Sequence, residues 1–178
     1  PFETNDQPDK LIPLALPATP DELADALNAC GAASWDEVVF QAEDSAIPHI
    51  LDELDCDGIE EINELAQAIQ YRAGRSELTK LKAVLHASDC HSIHAATYIA
   101  ENLDDYLYEP DQRTPEEVAT EELRFIVDEK SLPLLKKHVD LFYYGRDIIA
   151  EANAMMTPYG LVQRRDGEPI LSEETQAE

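Results

Sequence analysis

Apolar residues recur at helical spacing in several stretches of this chain. The clearest stretch predicts a helix over residues 59–71, because one side of that helix would be continuously apolar. Its apolar positions are Ile59, Ile62, Leu65, Ala66 and Ile69. Similar patterns, together with Ser76 and Ser92 as helix starts, predict further helices over residues 20–30, 44–54, 76–87, 92–107 and 132–138.

Two helix starts have a strong local signal. Residues 19–22 and 114–117 share the pattern Thr-Pro-x-Glu. The threonine can cap the helix, the proline suits the first helical position, and the glutamate completes a capping box. Gly31 then predicts the end of the first helix.

Strand signals are fewer and shorter. Strands are predicted at residues 38–40, at 141–144 with a turn at Gly145, and at 159–162, while residues 123–127 fit a strand or a helix. The sequence therefore predicts a helix-rich α+β fold with short strands.

Charge is the most unusual feature of the composition. The 178 residues contain 38 acidic and 13 basic side chains, a formal net charge of −25. Residues 1–71 alone hold 17 acids and one base, and residues 101–130 hold 11 acids and 3 bases. Such charge works against a compact state, so it favours a role in solubility or in binding a positively charged partner.

The remaining composition indicates an ordered protein in a reducing compartment. A hydrophobic content of 44% is typical of a chain with a core. The cysteines, Cys30, Cys56 and Cys90, form no CxxC pair and predict no disulfide framework. The apolar runs are too short to span a bilayer, and the polar start shows no signal peptide. We expect a cytoplasmic protein with no membrane contact.

Catalytic and metal-binding motifs are weak. His86, Cys90, His91 and His94 are possible ligands, but a structural zinc site usually adds a distant second pair, and none stands out. GxSxG, HExxH and glycine-rich phosphate motifs are absent. We therefore expect no enzyme activity, metal or cofactor. A metal-dependent enzyme with its site at residues 86–94 is a minor alternative hypothesis.

Direct nucleic-acid binding is not expected either. It needs a basic face, and the four bases in residues 72–82 lie in acidic surroundings. They more plausibly pair with carboxylates of the protein itself or of another subunit.

The acidic residues are the best functional signal. Duplex DNA carries about one negative charge per 1.7 Å of its axis, and an α-helix rises about 1.5 Å per residue. Carboxylates on rigid helices can therefore imitate the charge density of DNA. The candidate mimic residues are Asp21, Glu22, Asp25, Asp36, Glu37, Glu43, Asp44, Asp52, Glu53, Asp55, Asp57, Glu60, Glu61, Glu64, Glu101, Asp104, Asp105 and Glu109.

Several segments, in order along residues 11–165, resemble the ArdA antirestriction family. The most specific lies within residues 139–147 and contains Tyr-Gly-Arg-Asp at 144–147. The others are the Leu-Pro entry at 16–23, the helix at 58–66, the segment 88–101 with its Ala-x-Tyr-x-x-Glu pattern, and the closing strand at 157–162.

This resemblance implies an elongated, curved homodimer whose acidic surface imitates bent DNA. Its implied target is the DNA-binding methyltransferase core of a type I restriction-modification enzyme, and family members are carried on mobile genetic elements. The domains we expect are 11–45, 46–88 and 89–165, with flexible ends at 1–10 and 166–178. The family's opening strand is missing before the Leu-Pro entry, so the first domain is expected to be reduced.

The same segments suggest roles for individual residues. Ala96, Tyr98 and Glu101 are candidates for the motif or dimer contact. The residues Tyr144, Gly145, Arg146 and Asp147 are predicted to be structural. Gly145 would allow a turn, and Arg146 could hold a carboxylate through a bidentate contact.

The main alternative is an acidic protein-interaction adaptor from a mobile element, without a DNA-like arrangement. The two hypotheses differ in the spatial pattern of the carboxylates and in competition with duplex DNA.

Overall fold

The structure is a computed structural model that describes residues 11–40, 44–47, 58–72 and 74–170. Seven α-helices occur in this part of the chain: α1 (Pro20–Cys30), α2 (Ile59–Tyr71), α3 (Arg75–Ala87), α4 (Ile93–Glu101), α5 (Pro115–Ile126), α6 (Leu132–His138) and α7 (Leu141–Glu151). Three strands accompany them: β1 (Tyr106–Glu109), β2 (Met155–Thr157) and β3 (Gly160–Arg164). The fold is helix-rich α+β, which confirms the predicted class.

The strands form one antiparallel sheet in the order β1-β3-β2. Leu107 pairs with Gln163 and Tyr108 with Val162, so the side chains alternate between the two faces of the sheet. At the β2–β3 turn, the Thr157 hydroxyl donates a 2.7 Å hydrogen bond to the carbonyl of Gly160. Strand β2 has no counterpart in the predicted elements.

Helices α2, α3 and α4 build the main core against one face of the sheet. Helix α2 packs on α4, and α3 contacts all three strands. Leu65, Leu81, Val84, Leu103 and Val162 are the largest fully buried side chains. This single core cluster includes residues from both sides of the predicted boundary between residues 88 and 89.

Helices α5 and α7 form a second packed unit. Val118, Ala119 and Leu123 are the buried residues of α5, while Gly145 is buried in α7. A Cβ at position 145 would overlap the backbone carbonyl of Pro115. The absence of a side chain at Gly145 therefore allows the two helix backbones to approach.

The capping boxes at α1 and α5 confirm both predicted helix starts. In α1, the backbone N–H and the hydroxyl of Thr19 each donate a 2.8 Å hydrogen bond to the Glu22 carboxylate. These bonds stabilise the charged form, so they lower the pKa of Glu22. Gly31 ends α1 with a φ of 77°, as predicted.

Two predicted strands are wrong. Residues 38–40 have no strand partner in the described part of the chain: Trp35–Glu37 is a 3₁₀ turn, and the Trp35 and Phe40 rings lie 6.0 Å apart. Residues 141–144 are the first turn of α7, capped by the Asp140 side chain. A short apolar run does not by itself distinguish a strand from a helix. The predicted turn at Gly145 is also wrong, because Gly145 lies inside α7 at a helix–helix contact.

Two helix boundaries also differ from the prediction. The N-cap of α3 is Gly74, and Ser76 lies inside the helix. Helix α4 ends at Glu101 and not at residue 107, because the Asn102 side-chain amide donates 2.8 Å to the carbonyl of Tyr98. The chain then forms a 3₁₀ turn (Leu103–Asp105) and enters β1.

The sequence places residues 166–170 in a flexible end; in the structure residues 166–169 are exposed, and Ile170 is buried. The Asp166 carboxylate accepts 3.1 Å from the Glu168 N–H, and Ile170 belongs to the core cluster. The predicted helix at 44–54 falls mainly outside the described residues, as do residues 1–10 and 171–178. Within the described residues, no helix has the length and apolar character needed to cross a membrane.

Substitution of Gly145 should destabilise the protein. Replacing glycine with alanine inside a helix normally gains about 1 kcal/mol, but here the added methyl meets backbone. We expect Gly145→Ala to cost about 1–3 kcal/mol, measured by urea denaturation. Gly74→Ser is the control, since a Cβ there lies 3.8 Å from the Glu77 Cγ. Equal midpoints for Gly145→Ala and the unmodified protein would contradict this packing.

The Glu22 carboxyl should titrate below the ordinary range of glutamate. Because its pKa is lowered in the folded state, this carboxylate stabilises α1 above the unfolded pKa, and that contribution is lost as the pH falls through the folded pKa. NMR titration of Glu22 measures the shift directly. Thr19→Ala keeps the backbone donor of residue 19 but removes the hydroxyl, so the pKa should rise only part of the way towards the ordinary value. An unchanged titration in that variant would exclude a contribution from the Thr19 hydroxyl.

Candidate functional site

Helices α2 and α4 present a polar face, which we call the α2–α4 face. On α2 it consists of Glu60, Glu64, Gln67 and Tyr71, and on α4 of His94, Tyr98 and Glu101, all of them exposed. The spacings of three and four residues place each set on one side of its helix. The structure thereby brings three predicted carboxylates, Glu60, Glu64 and Glu101, onto two helices that pack together.

The opposite sides of both helices fix the orientation of this face. Ile59, Ile62, Leu65 and Ala68 of α2 are buried, as are Ile93, Ala96, Ile99 and Ala100 of α4. Ala96, a candidate for the motif contact, is 0% exposed and contributes to packing. Tyr98 is 63% exposed, so it is available to a partner.

The C-terminal ends of α2 and α4 meet at a shallow cleft of about 300 Å³. Its lining residues are Gln67, Ala68, Tyr71 and Glu101. Tyr71 is 84% exposed and stands beside the carboxylate of the motif residue Glu101. Exposed tyrosines are frequent anchors of protein–protein contacts.

Arg72 ties these helix ends to the rest of the core. Its Nη1 lies 3.1 Å from the Asp104 carboxylate and 3.3 Å from that of Glu77, and Nη2 donates 3.0 Å to the carbonyl of Glu101. The guanidinium also lies 5.4 Å from the centre of the Tyr71 ring. One side chain therefore joins α2, α3, the end of α4 and the following 3₁₀ turn.

The Arg72 side chain is largely buried, and its polar atoms are not all hydrogen-bonded. Its side chain is 10% exposed, and Nε is buried without a hydrogen-bond partner. Burial favours the neutral form, but the hydrogen bonds and charges of Asp104 and Glu77 outweigh it, so the pKa of Arg72 is raised. The guanidinium is charged at every accessible pH.

Two further bases lie near the same carboxylates. Arg165 donates from Nε to the carbonyl of Asp104 at 2.6 Å. Burial lowers the pKa of Lys80, against the opposing effects of Glu77 and Asp104. Arg72 confirms the expectation that bases of residues 72–82 pair with carboxylates of the chain itself. Among the candidate mimic residues that the structure describes, Asp104 is consequently one whose charge is compensated by a neighbouring cation.

The other candidate acids are solvent-facing wherever they are described. Helix α1 carries Asp21, Glu22 and Asp25, and the 3₁₀ turn after it carries Asp36 and Glu37. The Glu37 carboxylate accepts a 2.9 Å hydrogen bond from the Ala33 N–H. Asp44, Asp105 and Glu109 are exposed, and Glu61 is partly exposed. Glu43, Asp52, Glu53, Asp55 and Asp57 lie outside the described residues.

The buried polar residue Asn63 connects α2 to the segment that precedes α1. Its Oδ1 accepts a 2.7 Å hydrogen bond from the Ala18 N–H, and its Nδ2 donates 3.0 Å to the Ala18 carbonyl. Sequence reasoning missed Asn63 and Tyr71, and it included Arg72 only as one of four bases expected to pair with carboxylates. Asn63 had one signal, since it is an amide adjacent to the apolar stripe of a predicted helix.

The signature residues of α7 have local roles. Gly145 contacts Pro115, as described above, and Arg146 lies 5.9 Å from the centre of the Phe142 ring. The predicted carboxylate contact of Arg146 does not occur among the described residues, because its guanidinium stacks on that ring. Tyr144 is half-buried and Asp147 is exposed.

The histidine-rich segment shows no metal centre. The described residues contain no cluster of three or more His, Cys, Asp or Glu side chains placed to hold a metal ion. The His86 ring meets Tyr159 edge-on at 6.4 Å, and His91 lies 3.4 Å from Asp89. Neither Cys30 nor Cys90 is in a disulfide bond, and Cys90 is buried.

No protein-family model, curated protein or solved structure matches this chain. Its function is therefore argued from the fold and from the α2–α4 face.

Arg72→Leu should destabilise the junction of α2, α3 and α4. The variant leaves the Glu101 carbonyl uncapped and places Glu77 and Asp104 near each other without a cation. Because both carboxylates stay partly hydrated, we expect a loss of about 1–3 kcal/mol in the free energy of unfolding, measured by urea denaturation. Arg72→Lys should recover only part of it, since lysine lacks the planar fork of donors.

Arg124→Leu provides the matched control. Arg124 pairs with Glu121 on the surface, where the two side chains are 59% and 39% exposed, so its loss should cost less than about 1 kcal/mol. Similar losses for the two leucine variants would show that Arg72 is an ordinary surface charge.

Proposed function

We propose that this chain is a non-enzymatic antirestriction protein, a DNA mimic that occupies the DNA-binding site of a type I restriction-modification enzyme. The observation that carries this proposal is the α2–α4 face, where two packed helices present carboxylates outward from a shared core. The proposal is consistent with the sequence resemblance to the ArdA antirestriction family.

The spacing of the carboxylates supports the proposal. Glu60 and Glu64 are one helical turn apart on α2, which corresponds to a rise of about 6 Å. Two successive nucleotide steps of a DNA strand advance by about 7 Å. Successive phosphates of one strand are about 3.4 Å apart along the axis, so Glu60 and Glu64 match every second phosphate that a cleft lined by lysine and arginine would meet.

The rigidity of the face supports it further. An inhibitor that competes with DNA gains affinity when its charges are held in place before binding. The buried sides of α2 and α4, together with the Arg72 contacts, hold Glu101 and its neighbours on a fixed base. Tyr71 supplies apolar contact area beside the charges.

We further propose that the protein acts in the cytoplasm as a homodimer, with Tyr98 at or near the contact between subunits. Asp104 has a different task in this proposal. Since it pairs with Arg72, it contributes to the support of the face more than to its charge.

The second candidate function is an acidic adaptor that binds a basic protein without imitating DNA. The two exposed tyrosines favour it, because protein contacts use aromatic anchors that a phosphate backbone does not offer. Competition decides between the two: a mimic and duplex DNA exclude each other from the enzyme, whereas an adaptor and DNA bind together.

Neutralising the α2–α4 face should weaken inhibition. We expect the combined Glu60→Gln, Glu64→Gln and Glu101→Gln variant to need at least about tenfold more protein for half-inhibition, since each lost contact with a basic cleft costs about 1 kcal/mol or more. The measurement is an in vitro type I restriction assay with added duplex DNA as competitor. Circular dichroism should show unchanged helical content.

The matched control changes the same amount of charge elsewhere. Glu116, Glu129 and Glu151 are exposed and lie outside the face, so their amide variants should inhibit nearly as well as the unmodified protein. Equal weakening in the two triple variants would indicate a bulk charge effect. Inhibition that is insensitive to salt and to duplex DNA would overturn the proposal.

A further inference from the structure

A second surface lies on the other face of the sheet, away from α3. Helices α5 and α7 face the sheet there across a groove of about 190 Å³. Apolar side chains from three sources line it: Leu107 and Leu161 from the sheet, Val118 and Phe125 from α5, and Ile148 and Ile149 from α7. No residue of the α2–α4 face takes part.

The apolar lining is incompletely buried. Phe125 is 82% exposed, and Ile148 and Ile149 are only half-buried. Burial of an aromatic or aliphatic side chain stabilises a folded protein by about 1.5–3 kcal/mol. The exposed side chains of this groove do not contribute that stabilisation in full. An exposed aromatic side chain beside a groove is a candidate anchor for a protein partner.

The groove has an acidic edge. Glu109, Glu121 and Glu122 line it. Glu121 pairs with Arg124, whereas Glu109 and Glu122 have no ion-pair partner among the described residues. A ligand that fits must therefore combine apolar groups with positive charge.

We infer that this groove binds a basic amphipathic segment of a partner protein. One or two large apolar side chains of the segment enter the groove, and its lysines or arginines pair with Glu109 and Glu122. The volume supports a peptide over a small molecule, because small-molecule sites typically occupy about 300–1,000 Å³. This binding is separate from the proposed DNA mimicry and would add a second partner to the protein.

The test uses a labelled, helix-forming peptide of leucine and lysine, with fluorescence anisotropy as the readout at physiological ionic strength. Phe125→Ala should weaken its binding about tenfold with little effect on folding, because this side chain is exposed. Leu134→Ala is the matched control: Leu134 is 62% exposed on α6 and does not line the groove. Its variant should bind within about twofold of the unmodified protein.

Charge reversal separates the groove from the general acidity of the chain. Glu122→Lys should weaken peptide binding clearly more than Glu129→Lys, which makes the same change at an exposed site outside the groove. Equal effects of the two reversals, or of Phe125→Ala and Leu134→Ala, would overturn the inference. A third outcome would also overturn the inference: Phe125→Ala shifts the sedimenting protein to a smaller species and leaves peptide binding unchanged. The groove would then be occupied by a second copy of the chain.

Discussion

The acidic surface of this protein depends on the burial of α2, α3 and α4 against one face of a small sheet. Leu81, Ala83 and Val84 of α3 are completely buried, and α3 contacts the three strands and α4. A chain with a net charge of −25 needs such a core, because repulsion among its carboxylates opposes compaction. The apolar contacts hold the helices in position, and the helices in turn hold the carboxylates in position.

Arg72 reduces the repulsion between carboxylates at one point of the structure. Where the ends of α2 and α4 meet the start of α3, one guanidinium contacts two carboxylates and a helix-terminal carbonyl. The charge pattern that results is uneven, since Glu60 and Glu64 are exposed while Asp104 is exposed but paired with Arg72. Asp104 therefore has a cation beside it when a partner approaches.

Local signals in the sequence were sufficient for much of the fold. Capping boxes and apolar periodicity predicted α1, α2 and α6 closely, and the start of α5, because both depend on residues within one or two turns. The strands at 38–40 and 141–144 were wrong because strand formation needs a partner that periodicity does not specify. At the candidate site, the exposure of the acids was predictable, but the roles of Arg72 and Asn63 were not, since their partners Asp104 and Ala18 lie 32 and 45 residues away.

The contact between Gly145 and Pro115 has a consequence for how this sequence can vary. The atoms that exclude a Cβ at position 145 belong to the backbone, so no replacement of a neighbouring side chain makes room for one. A compensating second-site change is therefore unavailable unless the α5–α7 crossing itself shifts. Homologous chains that keep this crossing should retain glycine there, whatever substitutions accumulate around it.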